Sequence, residues 1–170
     1  HKTLPSLTQT GLLHICSSRI GTREIQQALS TFQSSSPSYI LMASIDYCVR
    51  KCADRPDLFD DYVQNLMDIR ARLKHMRNLK LLRTDDPGKI VVLTGDTKIT
   101  GKELFHILRS EYGIELEMSE ISYVTAMTSI CDTKEALGKL CEAFLETDES
   151  LYHVPNPGQA VIPAAEQVMT

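Results

Sequence analysis

A histidine–lysine pair opens the sequence, and a lysine amine is one of the few side-chain groups that bind an aldehyde covalently, as a Schiff base. To do so Lys2 must lose its proton, which a partly dry and electropositive setting favours. Its neighbours His1, Thr3 and Leu4 are compatible with such a setting. Taken alone, however, a His-Lys pair is more often ordinary surface, so these residue types permit the chemistry without assigning it.

Three consecutive serines could bind a phosphate. Ser34, Ser35 and Ser36 precede Pro37, which suits the first position of a helix, so Ser36 is the predicted N-cap. The N-terminus of a helix offers N–H groups and a partial positive charge, and the serine hydroxyls add further donors. An ordinary Ser-Pro helix cap is the alternative interpretation, and the residues alone favour it.

The cysteines favour free thiols over disulfides or a metal site. They are five in number and widely scattered, and residues 1–20 show no secretory signal pattern, so we predict reduced thiols and a cytoplasmic location. Cys48 and Cys52 are four residues apart and would share a helix face, as half of a metal site would. No CxxC motif or nearby histidine completes such a site, so we predict no metal and two small buried side chains.

Three further polar residues lie among apolar ones. His14, between Leu13 and Ile15, is predicted to be a hydrogen-bonded histidine of the core. Glu115 and Glu117 alternate with apolar residues, which predicts that they line the solvent side of a strand. They could instead face a cationic group of a ligand, which a carboxylate would bind.

The composition is that of an ordinary soluble globular protein. The 170 residues are 42% hydrophobic and 24% charged, enough for one domain or for one and a fraction. A formal net charge of -4 is unfavourable for nucleic-acid binding, which requires a basic face. No apolar run approaches the roughly 20 residues that cross a bilayer. Neither nucleic acid nor a membrane is therefore expected as a partner.

The first half of the chain is predicted to be mainly helical. A short strand is expected at 11–16, and apolar residues at helical spacing predict helices at 23–33 and after Pro37. The apolar residues that recur every three or four positions and predict a long helix at 56–81 are Tyr62, Leu66, Ile69, Leu73 and Met76. Helices with apolar faces and almost no strands to pack on suggest that this half does not fold alone.

The second half is predicted to be a complete small α+β domain. Thr84–Gly88, which joins Thr and Asp residues to a Pro-Gly pair, predicts a turn or linker before it. The elements are expected in the order β-α-β-β-α, with two helices on one face of a small sheet. Their predicted positions are a strand at 89–94, a helix from a Thr100–Glu103 capping box to Gly113, strands at 114–118 and 121–128, and a helix capped by Asp132.

Three segments, in order, resemble the bacterial Orn/Lys/Arg decarboxylases, which are pyridoxal-phosphate enzymes with the aspartate-aminotransferase-like fold. Residues 1–15 are similar to the family's lysine segment: a His-Lys pair, a Thr/Leu stretch, a Thr/Ser-Gln and a Leu-His-Val/Ile. Residues 34–44 are similar to its Thr/Ser-Ser-Pro-x-Tyr stretch, which ends in Ala-Ser. In the small domain, Asp86–Lys89 leads one strand and Gly113–Ile114 opens the next, as in the family. The resemblance spans nearly the whole chain.

The resemblance implies a set of site residues and a reaction. Lys2 would carry pyridoxal 5'-phosphate as a Schiff base, and His1 would lie beside the cofactor phosphate. Ser34, Ser35 and Ser36 would reach the cofactor phosphate of the neighbouring subunit, which implies a homodimer or larger homo-oligomer with shared active sites. The implied reaction is that of a lyase of polyamine metabolism, which decarboxylates a basic amino acid (arginine, lysine or ornithine) to the corresponding amine.

The resemblance also implies an organisation. The fold would be α/β, and the part present would be α+β. Residues 1–84 would be the mostly helical C-terminal part of the cofactor-binding major domain, 85–150 the small α+β domain, and 151–170 a tail toward a further region. In the family, the central parallel sheet and the groups that hold the cofactor ring and phosphate precede the lysine. The chain alone is therefore predicted to be an inactive portion of the enzyme.

Two other functions remain open. An aminotransferase-like relative would share the fold, but aminotransferases usually carry an arginine for the substrate carboxylate in the small domain. Arg109 is the sole arginine after position 83 and lies on a predicted helix, which argues against transamination. A non-catalytic truncated product could instead act as an interaction module through the apolar faces of its helices.

Overall fold

The structure is a computed structural model that describes residues 3–33, 35–95 and 97–151. Packing divides the chain into two compact units: the first holds residues up to Tyr62 and 129–131, and the second holds 63–128 and the residues from Asp132 onward. The predicted tail at 151–170 lies outside the described residues except for its first position. The predicted domain boundary between residues 84 and 85 stays a prediction.

Helices and irregular segments make up the first unit. Helix α1 spans Thr22–Phe32, α2 spans Tyr39–Asp54, and α3 starts here and spans Asp57–Leu73. The described part of this unit contains no strand, so the predicted strand at 11–16 is wrong. The apolar side chains of residues 11–16 are exposed, and His14, predicted to lie in a core, is exposed too. A single extended segment gains little without a neighbouring strand to pair its backbone groups.

Ser38, and not the predicted Ser36, is the N-cap of α2. Its hydroxyl accepts the N–H of Leu41 at 3.4 Å, and its backbone is extended, with φ -80° and ψ 113°. Pro37 therefore precedes the cap and does not occupy the first helical position. Serines flank Pro37 on both sides, and Ser38 is the one whose hydroxyl reaches back to the third residue of the helix, as an N-cap must.

Helix α3 ends at Leu73 and is shorter than the predicted helix at 56–81. Asp148, a buried residue distant in sequence, accepts the N–H groups of the three successive residues 77–79 at 2.6–2.9 Å. A side-chain carboxylate thus takes the donors that a continuing helix would direct at its own carbonyls. The chain therefore leaves the helix although its apolar spacing continues.

A four-stranded antiparallel sheet in the order β1-β2-β4-β3 lies in the second unit. The strands are β1 (Lys80–Leu81), β2 (Lys89–Leu93), β3 (Met118–Ser119) and β4 (Tyr123–Met127). Because Lys80 faces Leu93 across the sheet, Thr84–Gly88 belongs to the turn between two paired strands. The strand predicted at 114–118 is wrong except at Met118, because residues 114–117 form no strand and β3 begins at Met118.

Two helices complete this unit, α4 (Gly101–Tyr112) and α5 (Lys134–Ser150). From β2 onward the order β-α-β-β-α is confirmed. The predicted capping box at the start of α4 is confirmed, and Gly113 ends that helix in the left-handed region at φ 65°. The N-cap of α5 is Thr133 rather than the predicted Asp132, since the Thr133 hydroxyl accepts the N–H of Ala136 at 3.2 Å.

The second unit has a closed apolar core. Side chains from α3, α4, α5 and the two central strands are completely buried in it, among them Leu73, Ile90, Val92, Leu104, Leu108, Val124 and Phe144. In β2 the buried residues alternate, as expected for a strand with one covered face, whereas three successive residues of β4, Val124–Ala126, are buried. None of the helices in the described part of the chain has the length and apolar character of a transmembrane span.

Candidate functional site

The N-terminus of α2 has the properties that the phosphate prediction requires, although the structure describes only part of the predicted serine run. Ser35 and Ser36 are described and exposed, whereas Ser34 lies outside the described residues. No acidic residue occupies the first turn of α2, so no carboxylate cancels the positive end of the helix dipole there. Hydroxyl groups beside an uncompensated helix N-terminus are a donor set that fits a phosphate ester.

The segment that follows the predicted cofactor lysine is described from Thr3 onward, while His1 and Lys2 lie outside the described residues. Local hydrogen bonds shape this segment: the Ser6 and Thr10 hydroxyl oxygens are 2.7 Å apart, and the Thr10 hydroxyl donates to the carbonyl of Leu7 at 2.7 Å. The N–H of Leu7 in turn donates to the Ser44 hydroxyl on α2 at 3.4 Å. The described part of the lysine segment and helix α2 therefore belong to one unit and contact each other.

A cleft of about 290 Å³ lies between these two elements of the first unit. Its lining is mainly apolar with three polar side chains, and consists of Leu4, Ser6, Thr10, Gly11, Leu12, His14, Ile45 and Cys48. His14, Ser6 and Thr10 were not identified as site residues from the sequence. The Leu-His-Ile pattern suggested a buried strand, and no signal in the sequence shows that this segment folds back on α2.

The predicted solvent-facing glutamates of the second unit are confirmed as exposed. Glu115 pairs with Arg109, with 3.0 Å between Arg109 Nε and Glu115 Oε2, and both side chains are more than half exposed. An arginine engaged by a carboxylate on a helix surface is poorly placed to bind a second carboxylate. Within residues 3–33, 35–95 and 97–151, no three His, Cys, Asp or Glu side chains are grouped so as to hold a metal ion.

Comparison with known proteins identifies the family. The model of the Orn/Lys/Arg decarboxylase major domain matches residues 1–128 of this chain. An arginine decarboxylase of Bacillus anthracis is 29% identical over 154 residues, which cover 84% of this chain and 31% of that protein. The chain thus spans about a third of the length of the curated relatives that it matches.

Solved structures share the fold. The constitutive lysine decarboxylase of E. coli superposes with a TM-score of 0.70 at 19% identity, over 88% of this chain and 27% of that one. An alanine–glyoxylate aminotransferase of Nostoc sp. gives a TM-score of 0.54 at 18% identity, over 72% and 36%. The lysine decarboxylase and the aminotransferase therefore share this mixed α/β fold, so the fold alone does not distinguish the two families. The family match over residues 1–128 does distinguish them. This chain belongs to the Orn/Lys/Arg decarboxylase family.

Proposed function

We propose that this chain is part of a pyridoxal-phosphate-dependent decarboxylase of a basic amino acid, with arginine, lysine and ornithine as candidate substrates. The observation that carries the proposal is the family match, which starts at residue 1 and so includes the His-Lys pair. The relatives named arginine decarboxylase and the fold shared with a lysine decarboxylase support the substrate class. A location in the cytoplasm and a homodimer or larger homo-oligomer stay predictions.

Lys2 is proposed to bind the cofactor, with His1 beside it. Bound to Lys2, pyridoxal phosphate supplies an electron sink for the electron pair that departing CO2 leaves behind. The amine Nζ of Lys2 must be unprotonated to attack an aldehyde, so a dry and electropositive setting around it raises reactivity. Hydrogen bonds within Leu4–Thr10 shape the described segment that follows in sequence.

Ser34, Ser35 and Ser36 are proposed to bind the cofactor phosphate, and the subunit they serve is proposed to be the neighbouring one. The support is the electrostatics of α2, whose first turn lacks acidic residues and whose preceding serines are exposed where described. Exposure suits a group that reaches outward to another subunit. We expect Ser35→Ala with Ser36→Ala to weaken cofactor binding by about 100-fold or more, since each bond to a charged group contributes about 1.5–3 kcal/mol and two such bonds are removed. Ser30→Ala on α1 is the matched control.

The assay that tests the proposed reaction measures CO2 release and keto-acid formation side by side. The full-length protein containing this chain is purified with pyridoxal phosphate and given arginine, lysine and ornithine in turn. We expect CO2 from at least one of them, no keto acid, and a loss of more than about 1000-fold in Lys2→Ala. Lys74→Ala, an exposed lysine outside the proposed site, is the control. Keto acid without CO2 would instead assign an aminotransferase, against which the Arg109–Glu115 pair argues.

A non-catalytic interaction module is the second candidate, and one observation favours it. Large apolar side chains of the first unit are widely exposed, including Phe32 at 89%, Tyr39 at 80% and Ile40 at 74%. Such a surface is typical of a region that binds another polypeptide. This candidate predicts that the chain neither binds pyridoxal phosphate nor gains activity when the rest of a family decarboxylase is supplied.

A further inference from the structure

Two cysteines form a close pair on α2. Cys48 and Cys52 lie one helical turn apart, which places them on one face of the helix. Cys48 is 5% exposed, Cys52 is half-buried, and both are free thiols. Neither takes part in the proposed decarboxylation, so the pair is available for a separate function.

Cys48 is buried but can be reached from a cleft. It forms part of the lining of the 290 Å³ cleft in the first unit, beside Ile45 of the same helix and Leu4 and Leu12 of the lysine segment. A small uncharged molecule that enters this mainly apolar cleft therefore meets Cys48, and Cys52 follows one turn further along the same helix face. A charged or strongly hydrated ligand would lose its water on entering and gain few polar partners.

The geometry favours a bridge of one atom between the sulfurs. A disulfide needs Cβ atoms about 3.5–4.5 Å apart, whereas residues on successive helical turns have Cβ atoms about 5–6 Å apart, so a direct bond would unwind α2. A zinc site needs further ligands, and the described residues provide no group of three donors. Zinc also needs thiolates, but burial, and then the neighbouring Cys52 thiol, raises the pKa of Cys48.

We propose that Cys48 and Cys52 form a dithiol site for trivalent arsenic compounds, such as arsenite or a monosubstituted arsenous acid. Arsenic(III) takes neutral thiols: each S–H proton passes to an arsenic-bound hydroxyl, which leaves as water. Two As–S bonds thereby replace two As–O bonds and two water molecules are released. Arsenic stays trivalent and sulfur is not oxidised, so the step needs no other reactant. A single arsenic atom spans the two sulfurs without moving the helix backbone.

Phenylarsine oxide, which is hydrated in water to the dihydroxy form, is the probe. The folded chain is treated with it, exposed to an excess of a monothiol, and weighed intact by mass spectrometry. We expect one phenylarsenic group per chain that resists the monothiol and is removed by 2,3-dimercaptopropanol. In Cys52→Ser the apparent affinity should fall on the order of 100-fold, because only one sulfur remains to hold the arsenic.

The control variants identify the pair. Cys16→Ser and Cys131→Ser should retain the resistant adduct, although Cys131 lies close enough to Cys48 to influence its titration. Cys52→Ser changes the half-buried cysteine and leaves the buried Cys48 in place. An unchanged midpoint of urea unfolding shows that this variant is folded. The proposal is overturned if the wild-type chain gives no resistant adduct, if folded Cys52→Ser keeps it, or if Cys131→Ser loses it.

Discussion

The two units of this chain differ sharply in how much apolar surface they bury. In the second unit Leu104, Leu108 and Phe144 are completely buried. Among the described residues of the first unit, Cys48 is the one buried hydrophobic side chain, and Phe32 is 89% exposed. The unit that bears the resemblance to a cofactor site is thus the one without a closed core in its described part.

The difference shows which unit supports itself. A helix whose apolar face is covered is held by that burial, and it keeps its position whatever else is bound. The first unit relies on capping, short hydrogen bonds and exposed helices, which stabilise it far less. Catalytic groups need a rigid surrounding to be effective. The proposed site therefore requires that further polypeptide cover the exposed apolar residues around α1 and α2.

Gly101→Ala is expected to have the largest effect, and it lies in the unit with the core. A Cβ at Gly101 would lie 2.2 Å from the carbonyl oxygen of Tyr123 and 2.3 Å from that of Glu120. Both are backbone atoms, and that of Tyr123 belongs to the paired strand β4, so they cannot easily move aside, and we expect a loss of about 4 kcal/mol or more in the free energy of unfolding, measured with urea. Gly138→Ala in α5, with open space at its Cβ, should be neutral or stabilising.

A pair of phenylalanine substitutions compares the two units directly. Phe144→Ala removes a completely buried ring and should cost about 3–4 kcal/mol. Phe32→Ala removes a ring that is 89% exposed and should change the unfolding free energy by less than about 0.5 kcal/mol. Similar losses from both, in urea titrations of the isolated chain, would contradict the contrast between the units.

Asp148→Asn tests the contact that ends α3. The substitution keeps the shape of the side chain but removes the charge that strengthens three hydrogen bonds to backbone N–H groups, one of them buried at Leu79. We expect a loss of about 2 kcal/mol in urea unfolding. Asp46→Asn in the first unit, which removes only an exposed pair with Arg50 at 3.0 Å, should cost less than about 0.5 kcal/mol. Equal losses in the two variants would show that the Asp148 contact contributes no more to stability than an exposed ion pair.

The smallest expected effect is a pH dependence at the capping box of α4. Hydrogen bonds from the backbone N–H and then the hydroxyl of Thr100 lower the pKa of Glu103. The stability that the ionised Glu103 contributes is therefore complete above the ordinary pKa of a glutamate and is lost as the pH falls through the lowered pKa. Thermal unfolding followed from neutral to acidic pH should show a shallower decline in Glu103→Gln than in the wild type. If the stability of wild type and Glu103→Gln falls in parallel with pH, Glu103 is not the source of this pH dependence.

The same contrast explains what the sequence could predict. The β-α-β-β-α order, the Thr100–Glu103 box and the end of α4 at Gly113 were predictable, because these local signals agree with a periodic apolar pattern that becomes buried. The absence of a strand at 11–16 and the end of α3 at Leu73 were not predictable, because contacts between residues distant in sequence decide them. Asp148 stops α3 from the far end of the second unit, and no local pattern near Leu73 records it.

The candidate site divides in the same way. The residue types of the lysine segment and the serine run permitted their proposed chemistry without assigning it, and the assignment came from the resemblance to the family. That Ser38 caps α2 is decided by local backbone geometry, whereas the place of His14 in the lining of a cleft depends on how the lysine segment folds against α2. Sequence spacing reports contacts along one helix or strand, but not the contact between an irregular segment and a helix.

Borohydride reduction of the full-length protein, followed by peptide mass mapping, is the direct test of Lys2 as the cofactor lysine, because reduction makes a bond between lysine and cofactor permanent. We expect a pyridoxyl-phosphate group on the peptide that contains Lys2 and its absence from Lys2→Arg. A protein without the group, or with the group on another lysine such as Lys51, would contradict the assignment of Lys2 as the cofactor lysine.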